Sequence, residues 1–316
     1  MEELTLNQNI TVIGHKNPDT DSICSAIGYA ALKNANSTNT QYIAKRAGKV
    51  SPETAFVLDR FGVDAPELLE NGAGETFILV DHNEASQAVD GLELDSILEI
   101  IDHHKIGGIK TTEPIYFRNQ PVGCTATIVY QMYQESGVEV EKSIAGLLCS
   151  AILSDTLAFR SPTCTDFDKE AATSLAKVAG ISDVETYARE MFKAGSDLLT
   201  KDAKEIFYLD FKKFESKKAT FGVGQVTSMD QEELAQLKEK LVPYMQETFK
   251  EHEVDMLFFL LTDILEESSE LIYIGDHAKE VVSQAFTSSR EDITYLKGVV
   301  SRKKQIIPQL MAVLDK

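Results

Sequence analysis

The chain has 316 residues and a formal net charge of −19 at pH 7. Hydrophobic residues make up 43% of it, which is enough to build packed cores and excludes a disordered chain. So large a negative charge argues against a general nucleic-acid-binding protein, which needs positive potential to hold phosphates. No apolar run approaches the roughly eighteen residues of a membrane span, and residues 1–9 show no signal-peptide pattern, so we expect neither.

The length of the chain predicts two domains. Up to about residue 192, near-continuous apolar runs alternate with helical patterns, which predicts a parallel sheet with helices on both faces. We place this first domain at 1–192, a linker at 193–199 around Gly195, and a smaller α/β domain with a mixed sheet at 200–316. In the second domain we expect strands at 207–214 and 219–226 and a helix at 230–251, with His252 exposed near its end.

The four cysteines are Cys24, Cys124, Cys149 and Cys164. They are scattered through apolar segments and none forms a CxxC pair, so the spacing does not indicate a metal site or a disulfide framework. We therefore expect reduced, buried thiols in a cytoplasmic protein.

Acidic and imidazole side chains follow the predicted strands at the points where the strands end. Carboxyl ends of parallel strands meet at one edge of the sheet, where ligands of such folds collect. The residues expected at this edge follow the runs 10–13, 77–80 and 97–101 or end the helix 142–153, and they are His15, Asp19, Asp21, Asp81, Asp102, His103, His104 and Asp155.

Four or more carboxylates in one place repel one another strongly unless cations neutralise them. Nitrogen and oxygen ligands without a thiolate suit Mn²⁺, Co²⁺, Mg²⁺ or Zn²⁺ rather than a structural zinc site. So many candidate ligands indicate two metal ions, and pairs about 3.5–4 Å apart recur in phosphoryl hydrolysis. The pattern therefore predicts a two-metal hydrolytic centre.

Seven segments spread along the chain carry a family resemblance. They are GHKNPDTDS (14–22), LVDHNE (79–84), IDHHK (101–105), PVGCTAT (121–127), SDT (154–156), FRSPTCT (159–165) and GVVSRKKQ (298–305). Together they resemble the DHH phosphoesterase superfamily and, within it, the manganese-dependent family II inorganic pyrophosphatases. The first six segments fall in the first domain and the last in the second, a domain of the DHHA2 type in this family.

The resemblance implies a ligand set for each of two Mn²⁺ ions per subunit, with Co²⁺ or Mg²⁺ as alternatives and additional Mg²⁺ or Mn²⁺ entering with the substrate. His15, Asp19 and Asp81 would bind one ion, while Asp21, Asp81, His103 and Asp155 would bind the other, so Asp81 would bridge. His104, Lys212, Arg302 and Lys303 would hold phosphate in a cleft between the domains. The family also implies a homodimer formed through the N-terminal domain.

These features predict a soluble inorganic pyrophosphatase. A hydroxide bridging the two metals would attack pyrophosphate and yield two orthophosphates, and the basic side chains would neutralise the substrate oxygens. Lys213 is adjacent to Lys212, so the choice between these two lysines stays open. We expect residues 193–196 to act as a hinge for domain closure.

The second interpretation is a DHH-type exonuclease or nucleotide phosphatase. Such relatives carry a GGGH segment in the second domain, whereas this chain has the basic segment 301–304 there. A compact basic cluster suits a small, densely charged anion. A metal-binding protein without catalysis is a third interpretation, but it would not need this cluster.

Overall fold

The computed structural model describes residues 8–286 and 293–315. The first seven residues, which we searched for a signal segment, lie outside this range. Contacts divide the chain into two compact units, the first ending at Gly195 and the second beginning at Ser196. Among the described residues, no helix has the length and apolar character needed to cross a bilayer.

The first unit is a six-stranded parallel sheet with packed helices. The strands lie in the order β3-β2-β1-β4-β5-β6 and all neighbours run parallel. The elements in chain order are β1 Gln8–Ile13, α1 Thr20–Ala35, β2 Thr40–Arg46, α2 Pro52–Phe61, β3 Glu67–Leu68, β4 Phe77–Val80, β5 Ile97–Asp102, β6 Tyr116–Asn119, α3 Thr125–Ser136, α4 Lys142–Asp155, α5 Asp166–Ala179 and α6 Val184–Gly195.

The strand order reverses its direction beside β1. The chain proceeds from β1 outward to β2 and β3, and then returns to place β4 on the other side of β1. In open α/β sheets the loops that leave the carboxyl ends of strands on either side of such a reversal diverge, and ligands bind between them. The fold therefore opens a site directly after Ile13 and Val80.

Helices and loops cover the two faces of this sheet. On one face α1 packs on β1 and β2, α3 packs on β5, and the two helices contact each other. On the other face Ile13, Phe77 and Leu79 pack with loop side chains that include Val89. Burial on both faces explains why the strand sequences are near-continuous apolar runs rather than alternating ones.

The second unit contains a smaller, five-stranded mixed sheet in the order β11-β10-β9-β8-β7. Strands β8 and β9 run parallel, and the pairs β7–β8, β9–β10 and β10–β11 are antiparallel. Its elements are α7 Ala203–Tyr208, β7 Phe211–Glu215, β8 Thr220–Ser228, α8 Gln231–Thr248, β9 Met256–Asp263, β10 Ser268–Ile274, α9 Ala278–Ala285, β11 Ile293–Lys297, a π-helical turn Arg302–Ile306 and α10 Ile307–Leu314. The parallel sheet of the first unit and the mixed sheet of the second confirm the predicted fold class.

Strand β9 lies between two hydrophobic cores and contributes side chains to both. Phe258 and Leu260 point to the core that contains residues of α9 and α10. Phe259 and Leu261 point to the core that contains residues of α7 and α8. This alternation follows from the two-residue period of a strand, so every side chain of β9 is buried.

Two expectations for the second unit are wrong. Phe207 belongs to helix α7 rather than to a strand, because Asp202 and Glu205 form a capping box that starts a helix there. His252 is 3% exposed rather than at the surface. Its ring lies 4.8 Å from that of Phe207 and 5.6 Å from that of Phe211, centroid to centroid, so it forms part of an aromatic core.

Candidate metal centre

The loop after β1 supplies two of the candidate ligands. Gly14 lets the loop pass close to α1, because a Cβ atom there would lie 1.9 Å from Oγ of Ser22. Asp19 is the N-cap of α1 and accepts a hydrogen bond from the Ser22 backbone N–H at 2.9 Å. Nε2 of His15 lies 3.5 Å from Oδ2 of Asp19, so the cap also places its carboxylate beside the imidazole.

Asp81 is the residue on which the two halves of the site converge. It follows β4, is 1% exposed, and has a φ of 61°, a left-handed conformation that aspartate adopts more readily than most residues. Its Oδ2 lies 3.4 Å from Nε2 of His15 and its Oδ1 lies 3.5 Å from Nε2 of His103. Each carboxylate oxygen thus faces a different imidazole, which places Asp81 between the two histidines.

Asp21 is fully buried one residue into α1. Its carboxylate accepts hydrogen bonds from the backbone N–H groups of Thr125 at 2.6 Å and Ala126 at 3.0 Å, at the start of α3. It also accepts one from Oγ of Ser25 at 2.6 Å. The N-terminus of α3 therefore orients Asp21 and compensates part of its negative charge.

His103 offers a ring nitrogen without a hydrogen-bond partner. Its Nδ1 donates to the backbone carbonyl of Val122 at 3.0 Å, which fixes the tautomer and leaves Nε2 buried and unpaired. Oδ2 of Asp155, at the end of α4, lies 3.7 Å from this Nε2. A buried imidazole nitrogen that faces carboxylates and has no hydrogen-bond partner is suited to bind a metal ion.

The candidate ligands form two groups that share Asp81. His15, Asp19 and Asp81 make up one, and Asp21, Asp81, His103 and Asp155 make up the other. A third, overlapping group joins Asp81 to His103 and His104. The first two groups contain the same residues as the ligand sets implied by the family resemblance, and the donor types suit Mn²⁺. That these residues bind metal stays a proposal.

The pKa values of the cluster reflect the crowding of its carboxylates. Burial and the charge of Asp81 raise the pKa of Asp21 to about 7, and burial raises that of Asp155 well above its usual range. Burial would lower the pKa of His103, but the carboxylate of Asp81, whose Oδ1 lies 3.5 Å from Nε2, raises it to about 9. Without cations the cluster therefore retains protons near neutral pH, and bound metal ions would displace them.

Asp102, which we grouped with the strand-end carboxylates, orients the next two residues of its motif. It is fully buried and accepts hydrogen bonds from the backbone N–H of His103 and from Nδ1 of His104, the latter at 2.9 Å. Nδ2 of Asn83 donates one hydrogen bond to Asp102 and another to the backbone carbonyl of Lys105, the latter at 3.0 Å. Nδ1 of His104 is thereby engaged, and its half-exposed ring can present Nε2 to a ligand.

Sequence reasoning missed two residues that support the site. Oγ1 of Thr125 donates to Asp81 at 3.0 Å, in addition to the contact of its backbone with Asp21. Asp168 is fully buried and accepts from the backbone N–H of Gly123 at 2.9 Å and from Oγ1 of Thr127 at 2.6 Å. Asp168 is also the N3 residue of α5, and the signal available in the sequence was the segment 121–127, which contains both of these donors.

The second unit holds the basic residues of the sequence prediction. Arg302 is 8% exposed and its guanidinium pairs with Oδ1 of Asp210 at 2.8 Å. Arg302 and Lys303 line a groove of about 480 Å³ together with Asp210, Gln225 and Ser301, among others. Lys303 is exposed, so its ammonium group can move to meet an anion.

The sheet also separates Lys212 from Lys213. Successive residues of β7 point to opposite faces. Phe214 packs on the core that contains Ile306, at the end of the π-helical turn, whereas Phe211 packs on the opposite core. Lys212 therefore shares a face with Phe214 and the basic turn. Lys213 lies on the other face, where its charge adds to burial in lowering the pKa of His252.

Comparisons with known proteins agree with this architecture. Residues 9–152 match the DHH family, N-terminal domain, and residues 189–313 match the DHHA2 domain. A solved structure described as a putative family II inorganic pyrophosphatase from Methanococcus jannaschii is 42% identical, with a TM-score of 0.59, and the match covers 97% of this chain and 100% of that one.

Curated relatives match along nearly the whole chain. A probable manganese-dependent inorganic pyrophosphatase from Clostridium acetobutylicum is 49% identical over 97% of this chain and 98% of that protein. The manganese-dependent inorganic pyrophosphatase of Bacillus subtilis is 45% identical over 96% of this chain and 98% of that protein. With a DHH domain, a DHHA2 domain and these relatives, the chain belongs to the manganese-dependent, family II inorganic pyrophosphatases.

Proposed function

We propose that the chain hydrolyses inorganic pyrophosphate to two orthophosphates at a centre that holds two Mn²⁺ ions. The observation that supports this most strongly is the pair of ligand groups sharing Asp81 at the switch point of the parallel sheet. Relatives at 45–49% identity that bear the name manganese-dependent inorganic pyrophosphatase support the same reaction.

In this proposal Asp81 would be a ligand of both ions. His15 and Asp19 complete the first ligand set, and Asp21, His103 and Asp155 complete the second. When bound, the two cations supply the positive charge that makes water acidic enough to act as a nucleophile at neutral pH. The residues around the two ions would then orient the substrate and stabilise the negative charge on the leaving phosphate.

His104 is the candidate for contact with the substrate beside the ligands. Hydrogen bonding to Asp102 raises the pKa of His104 and directs its Nδ1 inward. Its Nε2–H can then donate a hydrogen bond to a phosphate oxygen or protonate the leaving phosphate. Asp102 thus acts through His104.

Lys212, Arg302 and Lys303 are proposed to neutralise the phosphate oxygens. Asp210 fixes the guanidinium of Arg302 in the groove, so little side-chain entropy is lost when an anion binds. The position of Lys212 on the same sheet face as the basic turn favours it over Lys213 as the substrate contact. Charge stabilisation of this kind grows as the bridging P–O bond breaks, so it assists turnover as well as binding.

The substrate class is tested by comparing phosphate release from three compounds with Mn²⁺ present. We expect pyrophosphate to be hydrolysed at least about 10³-fold faster, in kcat/KM, than p-nitrophenyl phosphate or short oligonucleotides, because the cationic side chains fit a small anion of high charge. A preference for oligonucleotides would contradict the proposal and favour an exonuclease. Equal rates on pyrophosphate and p-nitrophenyl phosphate would favour a nonspecific phosphatase.

We also propose a homodimer formed through the first unit. Strand β6 lies at the edge of the sheet, and its Tyr116 and Phe117 are exposed by 48% and 39%. An edge strand with unpaired backbone groups and exposed aromatic side chains is suited to pairing with a second copy.

The four cysteines are free, which favours a cytoplasmic location. No nucleic-acid partner is proposed, in keeping with the charge of −19.

A further inference from the structure

Glu53 is a half-buried carboxylate in the first turn of α2 that the predicted chemistry does not use. A single atom of it, Oε1, accepts a hydrogen bond from Oγ1 of Thr20 at 2.6 Å and another from Oγ of Ser154 at 2.6 Å. These donors belong to two different helices, α1 and α4. One carboxylate oxygen of α2 therefore joins the start of one helix to the end of another.

Both donors are direct neighbours of candidate metal ligands. Thr20 lies between Asp19 and Asp21, and Ser154 precedes Asp155. The segments that Glu53 joins are therefore those that supply three carboxylates to the site from two sides. The relative position of Asp21 and Asp155 depends on the ends of α1 and α4, and Glu53 fixes these ends against each other.

The surroundings of Glu53 restrict its movement. Oγ1 of Thr54, which follows it in α2, lies 3.1 Å from Oγ1 of Thr20 and holds that hydroxyl from another side. A Cβ atom on Gly195, at the end of α6, would lie 2.9 Å from Cβ of Glu53. Glycine at 195 therefore lets α6 pack closely against this side chain. A side chain held on several sides can transmit a fixed geometry to the residues that it contacts.

We infer that Glu53 is a positioning residue that sets the spacing of the Asp19–Asp21 and Asp155 segments and thereby the affinity of the centre for Mn²⁺. This inference rests on the ligand set proposed above. Within residues 8–286 and 293–315, Glu53 belongs to none of the groups that could hold an ion, so it acts through Thr20 and Ser154. Residues that orient metal ligands typically contribute about 10- to 100-fold to metal affinity.

Three variants of the full-length protein test this role by titration with Mn²⁺ against a fluorescent chelator. We expect Glu53→Ala to weaken Mn²⁺ binding by about 10- to 100-fold. Glu53→Gln should stay within about threefold of wild type, because its amide oxygen still accepts both hydrogen bonds. Ser154→Ala removes one of the two donors, so its Mn²⁺ affinity should lie between those of the two Glu53 variants. It also replaces Glu53→Ala as the test if that variant does not fold.

Glu75→Ala is the matched control. Glu75 also joins two elements of the same unit, accepting from Nζ of Lys45 at 2.6 Å and from Oγ1 of Thr11, but it precedes β4 at the opposite edge of the sheet. The Glu75→Ala substitution should lower the midpoint of thermal unfolding while leaving the Mn²⁺ affinity unchanged. A purely structural role for Glu53 would make its variants behave in the same way.

Two results would overturn the inference while leaving the proposed function intact. One is wild-type Mn²⁺ affinity in Glu53→Ala and Ser154→Ala. The other is a loss in Glu53→Gln as large as in Glu53→Ala, which would assign the effect to the charge of Glu53 instead of its hydrogen bonds. If the wild-type protein itself fails to bind Mn²⁺, both the inference and the proposed ligand set are overturned.

Discussion

Replacing Asp81 by asparagine should reduce the hydrolysis of pyrophosphate by about 10³-fold or more and remove at least one of the two Mn²⁺ ions. Asp81 belongs to both groups of proposed ligands, so one substitution should weaken the binding of both ions. Metal ions supply several kcal/mol of transition-state stabilisation, and each 1.4 kcal/mol corresponds to about a factor of ten in rate. Metal content is measured by elemental analysis and turnover by phosphate release.

Asparagine is the informative substitution at this position, because it tolerates the left-handed φ of 61° that alanine adopts less readily. The matched control is Asp64→Asn, an exposed aspartate of the same unit, and it should retain both ions and full activity. Full Mn²⁺ occupancy in the Asp81 variant would refute its assignment as the shared ligand.

Replacing Lys303 by alanine should lower kcat/KM for pyrophosphate by about 10²- to 10³-fold while leaving Mn²⁺ binding unchanged. The magnitude is that of removing one preorganised group that stabilises charge in a transition state. Lys303 lines the groove with Arg302, and its loss leaves the substrate oxygens less neutralised. Steady-state kinetics and Mn²⁺ titration on the same preparation separate the two effects.

Lys304→Ala is the control for this prediction. Lys304 is the next residue of the π-helical turn and is also exposed, but the groove lining does not include it. Its variant removes the same charge from the chain and should stay within about threefold of wild-type kcat/KM, since exposed charges interact weakly through water. Equal losses in the two variants would indicate a general effect of net charge and refute a specific contact by Lys303.

Most of the candidate ligand cluster was predictable from the sequence because its members follow buried strands, whereas Asp155 ends helix α4. A run such as Phe77–Val80 is typical of a strand in the interior of a parallel sheet, which places Asp81 at the carboxyl edge of that sheet. Because β4 and β5 are neighbouring parallel strands, His103 after β5 lies close to Asp81 after β4, although the two residues are far apart in the chain. The chemistry of the site follows from strand ends, which periodicity locates well.

Contacts between distant segments were not predictable in the same way. His252 has a polar side chain near a helix end, and only the packing of Phe207 and Phe211 around it makes it a core residue. The segment 207–214 is predicted as a strand, but the capping box of Asp202 and Glu205 starts a helix that includes Phe207. The supporting hydrogen bonds of Glu53 depend on how α1, α2 and α4 pack, which no local pattern encodes.

The central claim is that two Mn²⁺ ions share Asp81, and anomalous X-ray diffraction from crystals grown with Mn²⁺ tests it most directly. We predict two manganese peaks about 3.5–4 Å apart, one contacting His15 and Asp19, the other contacting His103 and Asp155, with an oxygen of Asp81 on each. A single manganese peak, or two peaks without Asp81 between them, would contradict the account.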